Sequence, residues 1–131
     1  MRVLALDYGS ARCGCAVSDP SGTIATPIEA VVKPATRRGL RALAQLVSTR
    51  GAERVVVGLP LTLRGGESEQ TAETRTFADQ LQRVLGDGVP VELYDERFTT
   101  RLAQRAGESR ASEDSRAAAH LLESWLRAQE R

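Results

Sequence analysis

Three carboxylates stand where predicted secondary-structure elements begin or end. Asp7 closes the apolar run of residues 3–6, Glu96 follows the run of residues 91–94, and Asp114 opens the last amphipathic segment. A carboxylate beside apolar residues is costly unless something compensates its charge. A divalent metal ion held by all three would do so, and Mg²⁺ and Mn²⁺ prefer hard carboxylate oxygens. The pattern therefore predicts a metal site built from Asp7, Glu96 and Asp114.

Two of these carboxylates also have a purely structural interpretation. Asp7 can be a turn residue that accepts hydrogen bonds from the backbone of Gly9 and Ser10. Asp114 can stabilise the start of its helix, where the helix dipole favours negative charge. The same helical spacing nevertheless puts Asp114 at the end of an apolar stripe formed by Ala118, Leu121, Leu122 and Trp125.

The third carboxylate has a neighbour that competes for the same role. Strand alternation puts Asp95 on one face with Val91 and Leu93, and Glu96 on the other face. Taken strictly, this alternation favours Asp95 as the inward residue, so the pattern alone leaves the choice open. Arg97 is predicted either to pair with one of the two carboxylates or to contact a phosphate.

Length and composition fit one globular domain over residues 1–131. The chain is 41% hydrophobic and 27% charged, which is ordinary for a soluble protein. The N-terminal apolar run is too short for a signal sequence, and no stretch approaches the length of a membrane helix, which predicts a cytoplasmic location. Cys13 and Cys15 are spaced poorly for a disulfide and lack partners for a zinc site. We expect them to be small core residues.

Hydrophobic periodicity predicts an α/β fold with the element order βββαβαβα. Strands are expected at residues 2–8, 13–19, 23–32, 54–58 and 89–94. Helices are expected at residues 36–50, 68–85 and 113–129, with a further short helix at 99–106. An antiparallel meander followed by right-handed crossovers would build a mixed five-stranded sheet flanked by helices. The polar loop around Gly65 and Gly66 is either a mobile loop over the site or a lead-in to the next helix.

Six segments of the chain match one known family in the same order. They are residues 4–10 (LALDYGS), 14–19 (GCAVSD), 57–61 (VGLPL), 75–78 (RTFA), 95–100 (DERFTT) and 114–124 (DSRAAAHLLES). The chain thereby resembles the YqgF/RuvX family of bacterial proteins with an RNase H-like fold. The resemblance implies catalytic acids at Asp7, Glu96 and Asp114, and this favours Glu96 over Asp95.

The resemblance also implies an activity and its partners. It implies a metal-dependent phosphodiesterase that uses Mg²⁺ or Mn²⁺ and cleaves either pre-16S ribosomal RNA or a four-way DNA (Holliday) junction. Resolving a junction needs two symmetric cuts and hence a homodimer, whereas trimming RNA does not. Arginines suit contacts with a nucleic-acid backbone, and five are candidates for this role: Arg12, Arg37, Arg38, Arg41 and Arg97. For the last four, ordinary solvated or paired side chains are the alternative.

The sequence departs from the family before the last carboxylate. Relatives carry a longer, basic segment there, but residues 101–113 are short and mixed in charge. The departure predicts a weaker grip on the substrate, and it keeps open an inactive RNase H-like module that only binds nucleic acid. The DYGS motif at residues 7–10 also occurs in actin-like phosphotransferases, which need two such domains around a nucleotide.

Overall fold

A computed structural model describes residues 1–99 and 113–130 of the chain. Its strands are β1 Val3–Asp7, β2 Arg12–Ser18, β3 Ala25–Val32, β4 Arg54–Leu59 and β5 Val91–Asp95. Its α-helices are α1 Arg37–Arg50, α2 Glu69–Leu85 and α3 Glu113–Gln129, with short 3₁₀ turns at Gly86–Gly88 and Glu96–Phe98. The predicted α/β element order is confirmed. Apart from Thr99, the expected short helix at 99–106 lies outside the described residues.

The five strands form one mixed sheet in the order β3-β2-β1-β4-β5. Strands β1, β2 and β3 are antiparallel neighbours, while β4 and β5 run parallel to β1. The register pairs Leu6 with Val57 and Val57 with Leu93. Parallel strands end on the same side of a sheet, so β1, β4 and β5 all finish at one end, called here the carboxyl edge.

Helices cover both faces of the sheet and make two hydrophobic cores. The core under α1 and α2 contains Leu4 and Leu6 of β1, whereas the core under α3 contains Val3 and Ala5 of the same strand. This alternation follows from the pleat, because successive side chains point to opposite faces. Cys13 and Cys15 are buried, unbridged members of the first core. Their predicted packing role is confirmed.

The helices begin and end at residues with the expected chemistry. The Thr36 hydroxyl accepts a 3.1 Å hydrogen bond from the backbone of Gly39, and Gly51 ends α1 in the left-handed region at φ 66°. Ser68 and Thr71 exchange hydrogen bonds as a capping box at the start of α2. Within the described ranges, no helix has both the length and the apolar character needed to cross a membrane.

We predict that Gly14→Ala destabilises the fold. A Cβ atom at Gly14 would lie 1.9 Å from the carbonyl oxygen of Asp114, so β2 and the start of α3 would have to separate. Overpacking of this kind costs about 1–3 kcal/mol or more, measurable as a lower urea midpoint. Gly88→Ala is the matched control, because nothing lies within 4 Å of a Cβ there. Equal midpoints for the two variants would contradict the packing described.

Candidate active site

Asp7 lies at the carboxyl edge with a glycine on each neighbouring strand. It is the last residue of β1, and alternation from Val3 and Ala5 turns its side chain toward α3. Gly14 of β2 is its direct partner, and Gly58 of β4 follows Val57, the partner of Leu6. Because glycine has no side chain, both positions leave space beside the Asp7 carboxylate for other groups.

Asp114 reaches this position because the start of α3 packs directly on β2. Its carbonyl oxygen lies over Gly14, and the neighbouring Ser115 hydroxyl accepts a 3.2 Å hydrogen bond from the backbone of Cys15. The Asp114 carboxylate lies 3.4 Å from Nε of Arg12, in a pair whose side chains are 41% and 65% exposed, respectively. An ion pair so exposed contributes little stability and exchanges partners at little cost.

Glu96 comes to the same face from the 3₁₀ turn that follows β5. A Cβ atom at Gly58 would lie 2.6 Å from Oε1 of Glu96, so this side chain occupies the space over that glycine. Val57 belongs to the core under α1 and α2, so the next residue, Gly58, lies on the opposite face of the strand. Gly58 therefore faces α3, as Asp7 does. Glu96 thus lies on the Asp7 side of the sheet.

Asp95 takes a structural position on the opposite face. It lies two residues after Leu93 and therefore on the same face, and Leu93 packs against the core under α1 and α2. Its Oδ1 accepts a 2.9 Å hydrogen bond from the backbone of Arg97 and caps the 3₁₀ turn. Strand alternation correctly separates Asp95 from Glu96 and places Asp95 inward with Val91 and Leu93. Both faces of the sheet are covered, so facing inward does not distinguish them.

The three carboxylates share one face at one end of the sheet without forming a ready-made metal cage. Within residues 1–99 and 113–130, no three His, Cys, Asp or Glu side chains are grouped so as to hold a metal ion. The Asp114 carboxylate pairs with Arg12, and Glu96 lies over Gly58. The donor set is nevertheless all carboxylate oxygen. This chemistry fits a hard divalent ion.

The pKa of the buried Cys13 thiol depends mainly on its neighbour Cys15 and on its burial. It is raised well above its usual range, first by a hydrogen bond with Cys15, then by burial, and further by the charges of Cys15, Asp7 and Asp114. A negative neighbour disfavours a thiolate.

A polar cleft of about 410 Å³ opens beside Asp114. Its walls are the β1–β2 loop and the first turns of α2, with the residues Tyr8, Gly9, Ser10, Ala11, Arg12, Gln70, Glu73 and Asp114. The Tyr8 ring stacks on Phe77 at a centroid distance of 4.5 Å, which holds that wall. A larger cavity of about 610 Å³ lies between β3 and α1. None of the three predicted acids lines it, so the smaller cleft is the better candidate for substrate.

Arg97 pairs with Asp95, one of the alternatives that its position allowed. Its Nη2 lies 2.6 Å from Oδ2 of Asp95, its Nε contacts both carboxylate oxygens, and its Nη1 donates to the carbonyl oxygen of Leu63 at 3.3 Å. These bonds lower the pKa of Asp95 and raise that of Arg97. The positive charge of Arg97 is therefore largely balanced by Asp95.

The other candidate arginines divide between the two faces. Arg12 is next to Asp114, whereas Arg37, Arg38 and Arg41 are exposed in the first turns of α1. Helix α1 also begins at the carboxyl edge, because the backbone of Lys33 donates to the carbonyl oxygen of Ala11 in the β1–β2 loop. It packs on the face opposite α3, so the structure does not bring this cluster to the carboxylates.

Gly14 and Gly58 shape the site, and the sequence reasoning missed both. Gly14 lies inside a predicted strand and Gly58 is the last residue of another, and glycines in strands often mark a close approach of another chain segment or ligand. That signal was present in the sequence. It does not say which segment approaches, because that depends on how α3 and the turn after β5 return to the sheet.

Comparison with known proteins identifies the family. The family model RuvX, described as Holliday junction resolvase, matches residues 1–128. The chain belongs to the RuvX family. A relative from Mycolicibacterium paratuberculosis, named "Putative pre-16S rRNA nuclease", is 44% identical over 95% of this chain and 79% of its own length. A relative of the same name from Chloroflexus aggregans is 43% identical over 79% of this chain and 71% of its own length.

Solved structures confirm the RNase H-like fold expected for a RuvX protein. Thermus thermophilus RuvC superposes with a TM-score of 0.65 at 18% identity, over 99% of this chain and 96% of that chain. The same protein in complex with a Holliday junction substrate superposes with a TM-score of 0.70 at 17% identity and the same coverage. At such low identity the likeness establishes the fold alone.

We predict that Asp95→Asn removes stability at neutral pH but little in acid. The Arg97 guanidinium lowers the pKa of folded Asp95 below the unfolded value of about 3.9. The stabilisation is therefore complete above the unfolded pKa and is lost as the pH falls through the folded pKa. Urea unfolding from about pH 7 to about pH 2 measures the difference. If the difference in unfolding free energy between parent and variant does not shrink in acid, the Asp95–Arg97 ion pair is not its cause. The control is Asp87→Asn, at an exposed position beyond α2.

Proposed function

We propose that this protein is a metal-dependent nuclease that hydrolyses phosphodiester bonds with Asp7, Glu96 and Asp114. The observation that carries the proposal is that the Glu96 carboxylate lies over Gly58 and the backbone of Asp114 over Gly14, on either side of Asp7. Three separate elements thereby bring an acidic residue to one face at one end of the sheet. Membership of the RuvX family gives independent support.

The carboxylates would hold one or two Mg²⁺ or Mn²⁺ ions. Such ions, when bound, lower the pKa of water and stabilise the leaving oxygen, so no protein nucleophile is needed. Asp114, which contacts Arg12 through one carboxylate oxygen, would be the third ligand of the metal. Arg12 would bind a phosphate of the substrate at the mouth of the polar cleft, close to the scissile bond.

Pre-16S ribosomal RNA is the first substrate that we propose, on the strength of the names of the relatives. A four-way DNA junction is the second, because the family model is described as a Holliday junction resolvase. Either substrate would be met in the cytoplasm. Junction resolution would further require a homodimer with two sites, whereas RNA trimming works equally with a monomer.

Arginines outside the acidic site would supply sequence-independent affinity. Arg12 is the nearest to the carboxylates, and Arg97 keeps 33% of its side chain exposed while it pairs with Asp95. Arg37, Arg38 and Arg41 would contact only a substrate that extends around the carboxyl edge to the opposite face. Phosphate contacts of this kind weaken with rising salt.

We predict that Asp7→Asn, Glu96→Gln and Asp114→Asn each lower cleavage by at least about a hundredfold, because loss of metal-binding charge removes several kcal/mol of transition-state stabilisation. The substrates are an RNA that joins the 5′ leader to 16S sequence and a four-way DNA junction, each with Mg²⁺, Mn²⁺ or EDTA. Asp87→Asn should cleave like the parent. Binding by the parent without cleavage in either metal would instead identify an inactive nucleic-acid-binding module.

We predict that Gly58→Ala impairs cleavage far more than stability. The added Cβ would meet the flexible side chain of Glu96 at 2.6 Å, rather than a backbone as at Gly14. Glu96 can rotate away at little energetic cost, but it then leaves the position beside Asp7. Cleavage rates and urea midpoints measured on the same samples test this. If Gly58→Ala cleaves as fast as the parent, the position of Glu96 over Gly58 is not the active one.

A further inference from the structure

The loop at residues 61–67, between β4 and α2, is a closed turn at the carboxyl edge. Leu61 and Glu67 form a β-bridge across its base. Thr62 accepts from the backbone of Gly65 at 2.8 Å, its hydroxyl accepts from Gly66 at 2.8 Å, and its own N–H donates to the carbonyl oxygen of Gly66 at 2.9 Å. Gly65 adopts φ 84°, which favours glycine. These hydrogen bonds give the loop a structure of its own, which a simple lead-in to helix α2 would not need.

Side chains hold this 61–67 loop to the segment that carries Glu96. The guanidinium of Arg97, the next residue, donates to the carbonyl oxygen of Leu63 and is itself held by Asp95. On the other side, Glu67 receives hydrogen bonds of 2.9 and 3.1 Å from Arg75 of α2. The position of the loop tip is therefore coupled to that of Glu96.

The loop tip presents an apolar and a cationic side chain to solvent. Leu63 is 94% exposed, compared with 62% for Ile24 and 64% for Val32. Arg64 forms no ion pair with any residue in ranges 1–99 and 113–130. The acid of the loop, Glu67, is neutralised by Arg75. Leu63 thus offers an apolar surface next to the cation Arg64, and the nearby acid Glu67 is already paired. In nucleic acid, bases and phosphates alternate in the same way.

We propose that Leu63 packs against a nucleobase next to the scissile bond while Arg64 contacts the adjoining phosphate. The identity of the ligand rests on the proposed function. Leucine is among the apolar side chains that proteins insert between base steps, and single-stranded RNA offers splayed bases for such contacts. A protein partner would not need the tip to be coupled to Glu96, which favours the nucleic acid.

Binding in EDTA tests this contact without cleavage. The probes are the leader–16S RNA and the four-way DNA junction, each with 2-aminopurine at successive positions along the strand. Leu63→Ala should weaken binding about tenfold and abolish the fluorescence change at one or two positions, while Leu63→Met keeps both. Arg64→Gln should reduce the log–log salt slope by about 0.7–0.9. Ile24→Ala, at the opposite end of the sheet, is the matched control.

The outcomes separate this contact from the proposed activity. If the parent cleaves and Leu63→Ala binds and fluoresces like the parent, the contact is wrong and the nuclease stands. If Leu63→Ala loses affinity although the parent cleaves neither probe, the contact stands and the proposed activity fails. A parent that neither binds nor cleaves the probes overturns both. If Ile24→Ala loses as much affinity as Leu63→Ala, the loss is not specific to the loop tip, and the proposed contact is wrong.

Discussion

The close approach of α3 to β2 at Gly14 is the constraint on which the candidate site depends. A carbonyl oxygen of the helix lies where a side chain would begin, and the Ser115 hydroxyl satisfies the backbone of Cys15 beside it. Further along α3, buried Trp125 donates a 2.7 Å hydrogen bond to Glu92 of β5. Contacts at both ends of the helix therefore set its position, and this brings Asp114 to the strand that ends in Asp7.

Neighbouring residues at the end of β5 have different surroundings because they face opposite sides of the sheet. Asp95 turns toward the α1–α2 side, caps the 3₁₀ turn and binds Arg97. Glu96 turns toward the α3 side and lies over Gly58. An ion pair on one face thus orients a carboxylate on the other. Arg97 of this ion pair also donates a hydrogen bond to the carbonyl oxygen of Leu63 in the 61–67 loop. The same arginine therefore contacts the loop tip and directly follows Glu96 in the chain.

Electrostatics links one of the candidate acids to a cationic partner. Neighbouring carboxylates repel one another, and a nearby cation offsets that repulsion. Asp114 finds Arg12 in an exposed pair that is weak enough to exchange. In the proposed function, Arg12 would bind a phosphate of the substrate at the mouth of the cleft.

The sequence by itself determined the element order, the helix boundaries near Gly51 and Gly86, and the burial of Cys13 and Cys15, because periodicity and capping are local properties. Motif resemblance, rather than pattern, selected Glu96. The tertiary structure decided which helices cover the face of Asp95 and on which face the α1 arginines lie. It also decided the partner of Arg97 and which segments pack over Gly14 and Gly58. These depend on which distant segments return to the sheet and on which face they pack. With both faces covered by helices, local hydrophobicity carries no information about that choice.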